Sequence, residues 1–251
     1  MKTLLFLCLP GVTALTAHAA TFAITPVADA LVATGPSGNL SNNNYGGAEA
    51  LAVSAAGQPQ GELQSMLMFN LSGALSTFNS SFGAGNWWLE SVSIKLTSTS
   101  PNNPMFNTTA AGMIGVSWVW SDAWPEGGGT PNAPAAAGLT YSSLLGTYIT
   151  MWDQPMGTLA FNGATSGASS WTLNTGFAFF SDLLAGSNVS LRLFGADPAA
   201  SGVFFSRSAA NAADRPSLVL VAVPEPSSAI SAGTAGLFLL AVRRRRQRST
   251  R

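Results

Sequence analysis

Residues 90–98 read ESVSIKLTS, with Val92, Ile94 and Leu96 alternating with Ser93, Lys95 and Thr97. Successive side chains of an extended chain point to opposite faces, so this spacing predicts a β-strand with one buried and one wet face. NVSLRLF (188–194) repeats the pattern, with Val189, Leu191 and Leu193 set around Ser190 and Arg192. Further runs of strand type recur between turn-formers: FAITPVA, ALAVS, LQSMLMFN, GMIGVSWVW, GTLAFN, SWTLN, GVFFS and SLVLVAV. About ten strands with no sustained helical period predict an all-β fold, an antiparallel β-sandwich of jelly-roll type.

Two segments break the pattern. TSPNNPMFNTTAAG (99–112) reads as a polar loop, and PEGGGTPNAPAAAG (125–138) carries too many prolines and glycines for a regular element. Short helical stretches are predicted at TYSSLLGTYI (140–149) and FAFFSDLLAG (177–186), the second with Asn174 or Thr175 as N-cap and Gly186 as stop.

The ends read differently from the body. MKTLLFLCLPGVTALTAHAA (1–20) has Lys2, an apolar run from Thr3 to Leu15 and the small-x-small site Ala17-His18-Ala19. This is the pattern of a secretory signal peptide, 1–19, cut after Ala19. Cys8 and His18, the chain's one cysteine and one histidine, would leave with it. A mature chain without either has no disulfide, no thiol nucleophile, no Ser-His-Asp triad and no zinc site built on Cys or His.

Between Ala20 and Val223 the basic residues are Lys95, Arg192, Arg207 and Arg215, against ten acids, so four minus ten gives a net charge of −6. That balance argues against DNA or RNA as partner, because cationic contacts to phosphate supply much of the affinity. A neutral polymer or a bound cation is compatible with it. The span is long enough for one sizeable core, a single domain over 20–223.

A set of motifs in fixed order over this body resembles a DNRLRE-type extracellular domain. They are PVADALV…NNNYGGAEALAVS, SMLMFNLSGAL, ESVSIKLTSTS, WPEGGGT…GLTY and the closing FFSRSAANAADRPSLVLVAV. The resemblance implies a jelly-roll sandwich related to carbohydrate-binding modules of secreted and surface proteins. Asn70 stands where the pattern has Asp, and Ser208 where it often has an acid, so this chain lacks those two carboxylates.

Seven tryptophans lie in the body, and aromatic faces both fill cores and stack on the C–H faces of sugars. Trp118 and Trp120 flank Val119 and are expected to pack in the core. Trp87 and Trp88 are neighbours and must point to opposite faces of a strand. Trp124, Trp152 and Trp88 are the candidates for glycan contact. A carboxylate pair drawn from Asp122, Glu126 and Asp153 is the alternative, a polysaccharide-degrading enzyme. Calcium is the one candidate cofactor, with Asp29, Asp197 and Asp214 and the Asn42-Asn43-Asn44 run as oxygen ligands in loops.

The tail VPEPSSAISAGTAGLFLLAVRRRRQRSTR (223–251) combines Pro224-Glu225-Pro226, a short apolar run and the cluster Arg243, Arg244, Arg245, Arg246 and Arg248. Ala229 to Val242 is fourteen residues, about 21 Å as a helix against about 30 Å of hydrocarbon, short for a permanent span. The order of the three features resembles the PEP-CTERM sorting signal of Gram-negative bacteria, here 224–251. That resemblance implies a short hydrophobic helix held transiently in the inner membrane and arginines kept cytoplasmic. It also implies cleavage by exosortase near Pro224-Glu225-Pro226 and release to the cell surface or the extracellular polysaccharide matrix. The expected partners are signal peptidase, exosortase and extracellular polysaccharide. The expected function is non-enzymatic, a glycan-binding surface protein, with a purely structural matrix protein as a further alternative.

Overall fold

The computed structural model describes residues 18–100, 103, 105–106 and 108–225. The stretch predicted as a signal peptide, up to Ala17, lies outside them, as do Pro226, the apolar run and the arginine cluster. Among the described residues no helix is long and apolar enough to cross a membrane.

The chain is mostly β. Eleven strands are β1 (Ala20–Ile24), β2 (Ala28–Ala33), β3 (Ala50–Ser54), β4 (Leu63–Asn70), β5 (Trp87–Ser98), β6 (Gly112–Val119), β7 (Gln154–Phe161), β8 (Gly167–Leu173), β9 (Asn188–Gly195), β10 (Ser201–Phe205) and β11 (Ser217–Pro224). They join antiparallel in one hydrogen-bonded sheet ordered β1-β11-β5-β10-β3-β4-β9-β6-β7, with β8 added on β5 and β2 on β4. FAITPVA holds two strands rather than one, because Pro26 has no N–H to give a ladder. The first strand pairs with the last, from Ala20 opposite Ala222 to Ile24 opposite Leu218.

One core takes Val92, Ile94 and Leu96 of β5 and Leu218 and Leu220 of β11, against Leu67 and Phe69 of β4, Leu191 and Leu193 of β9 and Ile114 and Val116 of β6. Both halves of the sheet thus turn a face inward, an arrangement consistent with a β-sandwich. The alternation in ESVSIKLTS is the reason: its apolar residues are fully buried while Ser93 and Lys95 stay partly open, although Thr97, expected on the wet face, is buried between β8 and β10 at the strand's end.

The second alternating stretch behaves differently. Val189, Leu191 and Leu193 enter the core, but Ser190 is also fully buried and Arg192 is half-buried. The outer face is not wet because the segment after β6 folds back over it. Trp124, Leu139 and Leu144 of that segment pack on Met66 and Met68 of β4 and Val32 of β2. A third cluster joins Leu31, Leu63, Tyr45, Phe106 and Val203. β4 contributes to all three, which is why its Met66-Leu67-Met68-Phe69 is an unbroken apolar run and not an alternation.

The proline- and glycine-rich cover is held by Asn44. Its fully buried side-chain amide donates to the carbonyls of Glu126 and Leu139, 2.7 Å each, and accepts from the backbone N–H groups of Gly46 (3.2 Å) and Gly129 (3.0 Å). A Cβ on Gly46 would stand 2.1 Å from the Glu126 carbonyl oxygen, so glycine is required for this approach.

Helix α1 (Ser72–Phe82) was hidden in the sequence by its serines, glycine and asparagine. Packing supplies what propensity does not, since Ala74 and Phe78, one turn apart, are fully buried. Leu71 is its N-cap, and just before it the Asn70 side-chain oxygen accepts from Ser72 N–H at 3.2 Å, so at this position an amide serves the turn. The two predicted helical stretches are present as a turn α2 (Tyr141–Ser143) that runs into a π-turn at Leu144–Tyr148, and as helix α3 (Phe177–Ala185). The N-cap of α3 is Gly176, not Asn174 or Thr175, and Gly186 closes it in the left-handed conformation.

Candidate functional site

Where β6 ends the chain leaves the sheet, and Trp118 and Trp120 part company. Trp118 is buried and its indole N–H donates to Asp182 Oδ2 of α3 at 2.8 Å. Trp120, two residues on, is 62% exposed. The two rings meet edge to face, centroids 6.0 Å apart at 83°. Trp152, 64% exposed, approaches from the turn before β7, and Phe177, 84% exposed, from the start of α3. These rings, with Gln154 and Asp182, line a cleft of about 400 Å³.

The exposed rings are fixed from behind. Asp153 Oδ1 accepts from Trp120 N–H (3.1 Å) and from the Thr150 hydroxyl (3.2 Å), while Thr150 Oγ1 accepts from Trp152 N–H (3.1 Å). One carboxylate therefore ties both indole-bearing backbones together. On the cleft wall the Gln154 side-chain amide and Asp182 Oδ1 take no hydrogen bond from another described residue. Burial first, and then the charge of Asp122, push the Asp182 carboxyl above the usual carboxylate range, against the indole bond that lowers it. Flat apolar faces beside an amide and a carboxylate are what a hydroxyl-rich ring with a C–H face needs.

Phe177 also borders a second depression, of about 460 Å³, lined by Trp87, Trp88, Gly176, Phe180 and Glu225. Trp87 is buried, with its indole N–H on Asn79 Oδ1 at 2.9 Å, and Trp88 is half exposed on the opposite face of β5.

The sequence candidates fall in separate places. Trp152 and Trp88 are exposed, one in each depression. Trp124 is not a surface ring: it is 3% exposed under the cover, and its indole N–H donates to Ser190 Oγ at 2.8 Å. The loop that carries it is proline-marked, but it is packed against the sheet, and this removes both ring faces from solvent. Trp120, expected in the core, takes the exposed position instead, because β6 stops at Val119.

The acids Asp122, Glu126 and Asp153 are not gathered around the cleft. Asp122 accepts the Ser190 hydroxyl at 2.6 Å, and burial raises its carboxyl above the ordinary range. Glu126 forms a two-pronged ion pair with Arg207, 2.8 Å to Nε and 2.6 Å to Nη2, and accepts from Asp29 N–H at 3.1 Å. Asp29, almost fully buried on β2, accepts in turn from Arg207 N–H at 2.6 Å. Burial pushes the Asp29 carboxyl up to about 6 although that N–H bond and the Arg207 charge pull it down, because burial and the neighbouring Glu126 carboxylate outweigh them.

The three calcium candidates have three different surroundings. Asp29 faces Arg207 and Glu126, and Asp214 accepts from the Asn211 amide at 2.9 Å. Asp197 accepts from the N–H groups of Met113 (2.6 Å), Ala199 and Ala200, bonds that hold its carboxyl below the usual range. Among the described residues no three Cys, His, Asp or Glu side chains come together as a metal-binding group. Asn44 of the Asn run spends its side chain on the cover.

Pro224 is the last residue of β11, opposite Trp87, and Glu225 N–H donates to the Asn86 carbonyl at 2.9 Å. Pro226 and the cluster from Arg243 to Arg248 lie outside the described residues. Two members of the cleft, Trp120 and Phe177, carried no distinguishing mark in the sequence beyond being aromatic. The helix start at Phe177 was legible, and an apolar residue at an exposed first turn is the signal that could have found it. No protein-family model matches the chain, and no curated protein matches it.

Proposed function

We propose that this chain is an exported, non-enzymatic surface or matrix protein whose antiparallel sandwich, of jelly-roll type, binds glycan through the cleft of Trp120, Trp152 and Phe177. The observation that carries the reading is the exposure of three large rings held around one cleft. Exposed aromatic faces cost hydration free energy that burial elsewhere in the chain avoids, so a group of them on a folded surface marks a contact site. Sugar rings fit because their axial hydrogens make one face apolar while their hydroxyls reach Gln154 and Asp182. The tail supports export: the apolar run and arginines after Pro224-Glu225-Pro226 have the order of a PEP-CTERM signal, which exosortase would cut before release.

The test is binding of the secreted protein to a panel of neutral polysaccharides, followed by tryptophan fluorescence. Trp152→Ala and Trp120→Ala should each weaken binding about tenfold or more with an unchanged melting temperature. Binding that survives both substitutions would remove the cleft from the reading, and a protein that binds no glycan would be a structural matrix component. The enzyme alternative rests on Asp182 at the cleft wall, within electrostatic reach of Asp122. Release of reducing ends from a bound polymer, abolished by Asp182→Asn or Asp122→Asn, would establish that alternative instead.

A further inference from the structure

We infer that the two aromatic depressions are one extended path for a neutral glycan chain, with Phe177 as the step between them. This rests on the reading of the first cleft as a glycan site. Phe177 borders both depressions, and helix α3 begins at that residue. Ala178, Ser181 and Asp182 of the helix face the first cleft and Phe180 the second. Going round the helix start, the chain meets exposed rings in succession: Trp120 and Trp152, then Phe177, then Trp88. Each depression alone, at about 400 and about 460 Å³, lies low in the range of sites for single small molecules. Joined, they ask for a ligand with a repeating C–H face, which a polymer of pyranoses supplies and a monosaccharide does not.

Charge selects the class of polymer. Among the described residues no lysine or arginine lines either depression, and Asp182 places a carboxylate on the wall of the first. The four cations between Ala20 and Val223 are engaged elsewhere. Arg207 pairs with Glu126, Arg192 donates to Gln64 and lies over the Phe194 ring, Lys95 donates to the Ala213 carbonyl and Arg215 to that of Ala209. A uronate or sulfated chain would meet the Asp182 carboxylate, while a neutral chain meets only hydrogen-bonding groups.

The experiment uses the secreted protein and β-1,4-linked oligomers of glucose, mannose and xylose, each of two and six units, with alginate as the polyanion. In the series that binds, six units should bind at least tenfold more tightly than two. Trp88→Ala should remove that gain and leave two-unit binding unchanged, whereas Trp152→Ala should weaken both. Phe177→Ala, which removes a ring from both depressions, should weaken two-unit and six-unit binding alike, and an unchanged melting temperature of the Trp88→Ala protein guards against a folding defect. Six-unit binding untouched by Trp88→Ala, yet lost in Trp152→Ala, overturns the extended path and leaves the first cleft standing. Binding of alginate alone, or of no oligomer, overturns both readings. A dimer in sedimentation that Trp88→Ala dissociates would assign the second depression to self-association and overturn the path.

Discussion

Asp29→Asn should flatten the dependence of stability on pH between about 5 and 7. Asp29 is nearly fully buried, and its carboxyl titrates near 6 in the folded chain against 3.8 in an unperturbed one. Between those values the folded chain holds a proton that the unfolded chain has lost, so stability falls as pH rises. The contribution is fully present below 3.8 and is gone once pH has climbed through about 6. The whole interval of about two pH units corresponds to about 3 kcal/mol. Going from pH 7 to pH 5 takes the native carboxyl from roughly one-tenth to roughly nine-tenths protonated, a gain of roughly 1–2 kcal/mol. For a domain of this size that is a rise of roughly 3–6 °C in melting temperature. Asn keeps an oxygen for the Arg207 N–H and brings no charge to desolvate, so the variant should match or exceed the parent at pH 7 and lack this rise. Asp122 and Asp182, whose carboxyls are also raised, titrate in both proteins and cancel in the difference. Thermal melts of parent and variant at the two pH values decide the matter. Parallel pH profiles, or a variant less stable than the parent at pH 7, would refute the argument that burial dominates at Asp29.

Three further outcomes follow from the cover and the tail. Asn44→Ala strands two carbonyls and two N–H groups inside the protein and should cost about 3–5 kcal/mol in a denaturant titration, with a loss below 1 kcal/mol counting against Asn44 as the anchor. Glu126→Gln removes the charge opposite Arg207 and should destabilise by about 1–3 kcal/mol while speeding amide exchange across residues 126–139; unchanged exchange would show that the pair does not hold the cover. Mass spectrometry of the exported protein should find the chain ending near Pro224, and an intact Arg251 on exported material would contradict processing at that motif.

The strands were readable because a half-buried strand writes its burial as an alternation, and ESVSIKLTS does so as far as Leu96, beyond which Thr97 and Ser98 are buried as well. NVSLRLF carries the same alternation, but its outer face is covered by residues more than sixty positions earlier, and periodicity has no access to such a contact. The same distant packing decided the tryptophans. Trp124 sits in a loop by composition and in a core by position, while Trp120 continues the rhythm of β6 yet projects from its end. Helix α1 was invisible because its stability comes from Ala74 and Phe78 meeting the sheet, not from residues that favour helix in isolation. The acids illustrate the limit most plainly: Asp122 and Glu126 are four residues apart, yet one turns to Ser190 of β9 and the other to Arg207 beyond β10.

The pairing of β1 with β11 has a consequence in time. Ala20 cannot meet Ala222 until nearly the whole domain has been made or delivered, so the first strand must wait, both edges unpaired, for the last. Closing a loop of that length is slow compared with forming a hairpin, and β11 finds its place on β5, more than a hundred residues earlier in the chain. A chain stopped short of residue 217 would expose both the edge of β5 and the whole of β1, two templates for pairing with a neighbouring copy. Completion of the eight residues of β11 is thus the step that gives β1 and β5 the partner they share.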